Sequence, residues 1–121
     1  MRVAILGASN KPERYSYQAL QRLRENGHDV FPVHPAIENI EGITTFSSLE
    51  ELPQPIDILT MYVNPQISNK NAEKILTLKP KRVIFNPGTE NSGLQNQLEA
   101  AGIRVQEACT LVLLATKQFE K

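Results

Sequence analysis

The sequence predicts a single α/β domain with a doubly wound, mainly parallel sheet of five to six strands, and three observations carry that reading. Short apolar, β-branched runs alternate with amphipathic helical stretches along the whole chain, as helices packed on both faces of a parallel sheet require. The first strand, helix and strand span roughly thirty residues, the size of one βαβ unit, so those strands should be parallel and the crossover right-handed. The length, 121 residues, fits one domain and leaves no room for a separate catalytic one.

The elements follow in order. Arg2 to Tyr17 reads RVAILGASNKPERYSY: the apolar run ending at Leu6 halts at Gly7, crosses a small polar loop and opens a helix. That helix is expected over Tyr15 to Asn26 with Ser16 as a cap. Ala19, Leu20 and Leu23 form its apolar stripe, and Gly27 supplies the left-handed end. Asp29 to Val33 is a second strand, closed by His34 and Pro35. A loop through Ile40, Glu41 and Gly42 leads to a short edge strand, Ile43 to Phe46. Ser47 or Ser48 then caps a brief helix, SSLEEL, which Pro53 and Pro55 terminate.

Ile56 to Val63 (IDILTMYV) is almost continuously apolar, as a strand covered on both faces should be, and it ends in Asn64 and Pro65. One helix is expected from Gln66 to Leu78 with Ile67, Ala72, Ile75 and Leu76 inward. Arg82 to Phe85 is the next strand, closed by Asn86, Pro87 and Gly88. A helix from Asn91 to Ala101, with Leu94, Leu98 and Ala101 inward, ends at Gly102, and Ile103 to Val105 supplies the last strand. Cys109 to Phe119 reads as a closing helix, although Thr110 to Thr116 is β-branched enough to read as a strand too. There is no repeat, linker or low-complexity segment.

Composition removes several function classes. Thirteen basic against thirteen acidic residues leave no excess charge for gripping nucleic acid. No apolar run approaches the roughly 18 residues of a membrane span, and Met1 leads straight into a strand rather than a signal segment. A cytoplasmic protein is the expectation. One cysteine cannot form an internal disulfide, and two histidines do not make a credible zinc set.

The informative pattern is that the principal strands end alike, in GASNKP, VHP, VNP and NPG. Parallel strands place all these turns on one rim, where α/β sheets bind ligands, next to the strand-order reversal expected between the first strand and Ile56 to Val63. Any single turn is explained by chain reversal alone. As a set, with Lys11 and Arg14 in the first loop and a helix N-terminus behind them, they point to an anion, a phosphate above all. NAD fits poorly: Gly7 has no glycine two residues on, and the second strand ends in Val33, His34 and Pro35 rather than an acid. NADP stays open through the basic loop, and the Walker pattern is absent.

Gly7-Ala8-Ser9, then Lys11-Pro12, Arg14 and Ser16, followed by a strand ending V-x-P, resemble the opening of the CoA-binding domain family, related to the N-terminal domain of the succinyl-CoA synthetase α subunit. The similarity runs from about Arg2 to Cys109. It implies a Rossmann-like domain holding coenzyme A across the carboxyl rim. By matching position, Gly7, Ala8 and Ser9 would line the pyrophosphate, with Lys11, Arg14 and Ser16 adding donors. Val33, His34 and Pro35 would border the nucleotide, Val63 and Asn64 would lie along the adenosine or upper pantetheine, and Gly88 matches the family's glycine after the next strand. The family often has Asn at the position of His34 and a Gln-containing turn where this chain has Asn86 and Pro87. CoA carries roughly three to four negative charges at neutral pH, counting phosphate second pKa values near 6. Two loop cations and a helix N-terminus answer that charge.

The remaining residues divide between bland and sharp readings. Cations at a helix start oppose its dipole, so for Lys11 and Arg14 a bound anion explains more than solvation does. His34 reads as a polar contact, Asp57 as structural at the opposite rim, and Glu90 as an ordinary first-turn acid. The resemblance also places a cysteine before the last helix. Cys109 is then either a small buried apolar side chain or a thiol able to form a mixed disulfide with CoA. The expectation is a binding protein without catalytic chemistry of its own, alone, as a homodimer or with a separate partner chain. Whether the ligand is free CoA or an acyl ester stays open. The alternative is a minimal NADP-dependent reductase with a rim donor such as Tyr62.

Overall fold

The computed structural model describes residues 1–121. Five parallel strands form one sheet: β1 (Arg2–Leu6), β2 (Asp29–Val33), β5 (Ile58–Met61), β6 (Arg82–Phe85) and β7 (Arg104–Glu107), in the order β2-β1-β5-β6-β7. The chain leaves β1 for β2 on one side and later crosses to β5 on the other, so the order reverses at β1, as expected.

Alternation along each strand divides the core in two. Ala4, Leu6, Leu59, Met61, Val83 and Phe85 face one side, under the short 3-10 turn Leu49–Glu51, helix α3 (Ala72–Leu78) and helix α4 (Ser92–Ala100). Val3, Ile5, Ile58 and Ile84 face the other, under α1 (Tyr15–Glu25) and the region of α5 (Thr110–Ala115). Leu20 and Leu23 of α1 and Phe119 complete this second layer. Each fully buried aliphatic or aromatic side chain contributes roughly 1.5–3 kcal/mol relative to exposure. No helix is long and apolar enough to cross a membrane.

Several boundaries differ from the sequence reading. The edge strand expected at Ile43 to Phe46 is instead a hairpin of β3 (Asn39–Ile40) and β4 (Ile43–Thr44), turning through Glu41 and Gly42, both at positive φ. Only Phe46 joins the edge of β2, by a bridge to Val33. The helix expected over Gln66 to Leu78 is broken into α2 (Pro65–Lys70) and α3 at Asn71, whose amide side chain donates to the Ile67 carbonyl at 2.9 Å. The break changes the inward face: Ile67 is 43% exposed, whereas Ser68 is buried. Ala101, expected inward, is exposed because α4 has already ended, and α5 stops at Ala115 rather than Phe119.

At the amino edge, Asp57 is structural as expected. The Arg2 backbone N–H, 2.8 Å away, holds its carboxyl below the usual range, with Lys81 adding an ion pair at 3.3 Å. His28 is buried against the Phe119 ring, centroids 5.2 Å apart, with Nδ1 3.1 Å from the Met1 amino group. Burial first, then that amino charge, push its pKa down. The unfolded chain therefore binds this proton more tightly. The stability His28 contributes is complete above about pH 6.5 and is lost as pH falls through the folded-state value. The melting temperature should fall on acidification from about pH 7 to about pH 5. A His28→Gln variant should show a shallower fall, and identical slopes in the two proteins would refute the assignment.

Candidate functional site

The reversal at β1 opens a cleft of about 440 Å³ on the carboxyl rim, on the α1 side of the sheet. The β1–α1 loop supplies Gly7, Ala8, Ser9, Asn10 and Lys11, and the start of α1 adds Arg14, Tyr15 and Ser16. Across from them, the segment after β2 contributes His34 and Ile37, and the end of β5 contributes Tyr62.

Gly7 is required where it stands. Its φ is +91°, and a Cβ built there would lie 2.8 Å from Val63 Cγ1 and 2.9 Å from the Tyr62 carbonyl oxygen. Only glycine lets the loop press this closely on the end of β5. The Gly7 and Ala8 amides both donate to the Val33 carbonyl, each at 3.2 Å. Those two amides therefore hold the loop to β2 and are already spent as donors. The open donors lie further along: Tyr15, Ser16 and Tyr17, the first three residues of α1, have no backbone acceptor for their N–H groups.

The start of α1 carries no side-chain cap, as at α3 and α5, and it differs from those in bringing two cations to its open end. Its N-cap is Arg14, not the expected Ser16, with no side-chain cap and no acid in the first turn. By contrast, Asn64 caps α2 through an Ile67 N–H bond of 3.0 Å, and Asn91 caps α4 through Leu94 N–H at 3.2 Å. Ser16 lies inside α1, almost wholly buried against the cleft. Lys11 and Arg14 are exposed and take part in neither of the two ion pairs, Lys74–Glu50 and Lys81–Asp57. A helix of eleven residues thus directs open amides and two unpaired cations at one end into one cleft.

His34 faces the same space. Its Nδ1 accepts the Ala36 N–H at 3.0 Å, which leaves Nε2 to carry the ring proton and to donate. Tyr62 presents its ring to the cleft, but its hydroxyl is buried without a hydrogen-bond partner, and burial pushes its pKa up to about 12. The nearby Thr60 and Thr110 hydroxyls are bonded to each other at 2.8 Å. Beneath them, Asn86 donates to Thr60 Oγ1 and the Met61 carbonyl and accepts the Thr110 N–H, tying β5, β6 and α5 together under the rim.

Of the residues the sequence suggested, Gly7, Ala8, Ser9, Lys11, Arg14, Ser16 and His34 line this cleft together. The others do not. Val33 is a core residue on the opposite face that contributes only its carbonyl, and Pro35 is exposed beside the cleft wall. Val63 packs on the opposite face, and the Asn64 side chain is occupied in capping α2. Gly88 sits on the rim after β6, at φ +92°, donating to Glu90 Oε1. Cys109, a partly buried free thiol, precedes α5 outside the cleft lining. The cleft is also lined by Asn10, Tyr15 and Ile37, which the sequence did not single out, and by Tyr62, which it singled out only as a rim donor. Tyr15 carried a local signal, an aromatic residue between Arg14 and Ser16 in a first turn; Ile37 lies in a loop with none.

The rim cleft thus gathers a glycine turn, two cations free of ion pairs and an uncapped helix start on a Rossmann-like parallel sheet, the place and the chemistry with which α/β sheets in general meet anionic ligands. Comparison makes the class specific. Residues 1–115 match the model of the CoA binding domain, and the chain belongs to that family. It is 34% identical over 101 residues to the uncharacterized protein YneT of Bacillus subtilis, covering 84% of this chain and 75% of that one. Over 62 residues it is 32% identical to the acetate–CoA ligase [ADP-forming] II subunit alpha of Pyrococcus furiosus, half of this chain but only 14% of that subunit. Among solved structures, a Thermus thermophilus protein superposes with a TM-score of 0.89 at 30% identity, covering 98% of this chain and 90% of its own.

Proposed function

We propose that the chain is a non-catalytic module that binds coenzyme A through its phosphates at the start of α1. The observation that carries this reading is the α1 N-terminus, where open amides, Lys11 and Arg14 converge without a side-chain cap and with no acid in the first turn, Glu13 being the one acid of the preceding loop and outside the cleft lining. An anion there completes the helix and relieves the repulsion between its dipole and two cations. Ser16 and the His34 Nε2–H add neutral donors on two sides of the cleft. The pyrophosphate is therefore held by side chains and helix amides rather than by Gly7 and Ala8. Membership of the family and the similarity to the ligase subunit support coenzyme A as the ligand.

The reductase alternative loses its donor. A Tyr62 hydroxyl shut away from solvent, with a pKa near 12, is a poor proton source at neutral pH. In cells we envisage a cytoplasmic carrier or sensor of CoA or an acyl ester, or one part of an assembly whose other chain supplies the chemistry.

Calorimetric titration with CoA and with NADPH tests the reading. CoA is expected to bind at one site per chain and more weakly as salt is raised, with NADPH at least about tenfold weaker, a difference of roughly 1.4 kcal/mol. NADPH binding as tightly as CoA, or no heat with CoA, would overturn it.

A further inference from the structure

We infer that Tyr15 is the stacking platform for the adenine base of the ligand, and so the residue that makes the site selective for a nucleotide over any other phosphate ester. The inference rests on the CoA-binding reading and adds to it where the base lies. Four large apolar side chains are left substantially exposed: Met1, Tyr15, Ile67 and Val112. Tyr15 is the most exposed, at 70%, and the one among them that lines the basic cleft. It belongs to neither core cluster and pairs with no other aromatic ring.

Local preference does not explain it. The first helical position favours proline or a small or acidic residue, and a solvated tyrosine there gains nothing from packing. A bound base would change that balance, because every base offers a π-face to an aromatic ring. The position also suits the chemistry. Tyr15 is the first residue of α1, next to the cation at Arg14, so a base on its ring would sit beside phosphates held by the helix start. Ile37, from the opposite wall, gives the cleft an apolar surface for the other edge of the same ligand.

The test compares three ligands on three proteins by calorimetry: CoA, adenosine 3′,5′-bisphosphate and 4′-phosphopantetheine, on the unaltered chain, Tyr15→Phe and Tyr15→Ala. Because Tyr15 supports no core packing, both variants should melt within about 2 °C of the unaltered protein. Tyr15→Ala is expected to weaken CoA and the bisphosphate by about 5- to 150-fold. Phosphopantetheine should bind all three proteins alike, and Tyr15→Phe should stay within about twofold of the unaltered chain for every ligand, since stacking uses the ring and not the hydroxyl. CoA binding unchanged in Tyr15→Ala would overturn this inference and leave CoA binding standing. Equal losses for phosphopantetheine, or a Phe variant as weak as Ala, would also overturn it. An unaltered chain that binds no CoA would overturn both.

Discussion

Replacing Lys11 and Arg14 together with alanine should weaken CoA binding by roughly 100-fold or more, each lost charge-assisted contact being worth about 1.5–3 kcal/mol. The melting temperature should stay level or rise slightly. Both side chains are exposed, make no ion pair and stand at the positive end of α1. Each such cation is unfavourable by about 0.3–1 kcal/mol when nothing negative is bound. The opposite signs separate a ligand role from a structural one. If the two charges merely solvated the helix start, affinity would hold while stability moved. Calorimetry and thermal melting on the same preparation decide it, and a double variant that binds CoA as tightly as the unaltered chain removes the site from this end of α1.

Gly7→Ala is expected to lose about 2–5 kcal/mol of stability, combining a strained left-handed backbone with overpacking. For a domain of this size that is on the order of a 10 °C drop in melting temperature. The close neighbours include the Tyr62 carbonyl, main chain that cannot swing aside as a flexible side chain would. Movement of the loop would also strain the paired bonds from Gly7 and Ala8 to Val33. Affinity should fall with stability here, unlike in the Lys11 and Arg14 variant, because the loop carries Ser9 and Lys11 into the cleft. A Gly7→Ala protein that melts within about 2 °C of the original would show that the contact is slack.

How much could be read beforehand differs from one element to the next. The α1 stripe of Ala19, Leu20 and Leu23 was legible because an amphipathic helix on a sheet must repeat its apolar residues at helical spacing. The break at Asn71 was not: its amide captures a carbonyl four residues back, and a tract from Gln66 to Leu78 looks periodic with or without that bond. The hairpin at Asn39–Thr44 reads from sequence as a loop followed by one edge strand, Ile43 to Phe46, because two-residue strands carry no periodicity. At the site, the residues read correctly as neighbours all belong to one contiguous loop and helix start, with His34 reached across a single βαβ unit.

Sequence alone determined the alternation of strands and helices, the shared rim of their turns and the basic loop after β1, since all three follow from local pattern and the parallel rule. Tertiary structure decided which groups remain free to meet a ligand. The Gly7 and Ala8 amides are consumed by Val33, Asn64 by its own helix and the Tyr62 hydroxyl by burial, whereas the α1 amides, Lys11, Arg14 and the Tyr15 ring are left unclaimed. The physical reason is that a hydrogen-bonding group or a ring face is available only after the fold has satisfied its own demands. Those demands are settled between residues far apart in the chain.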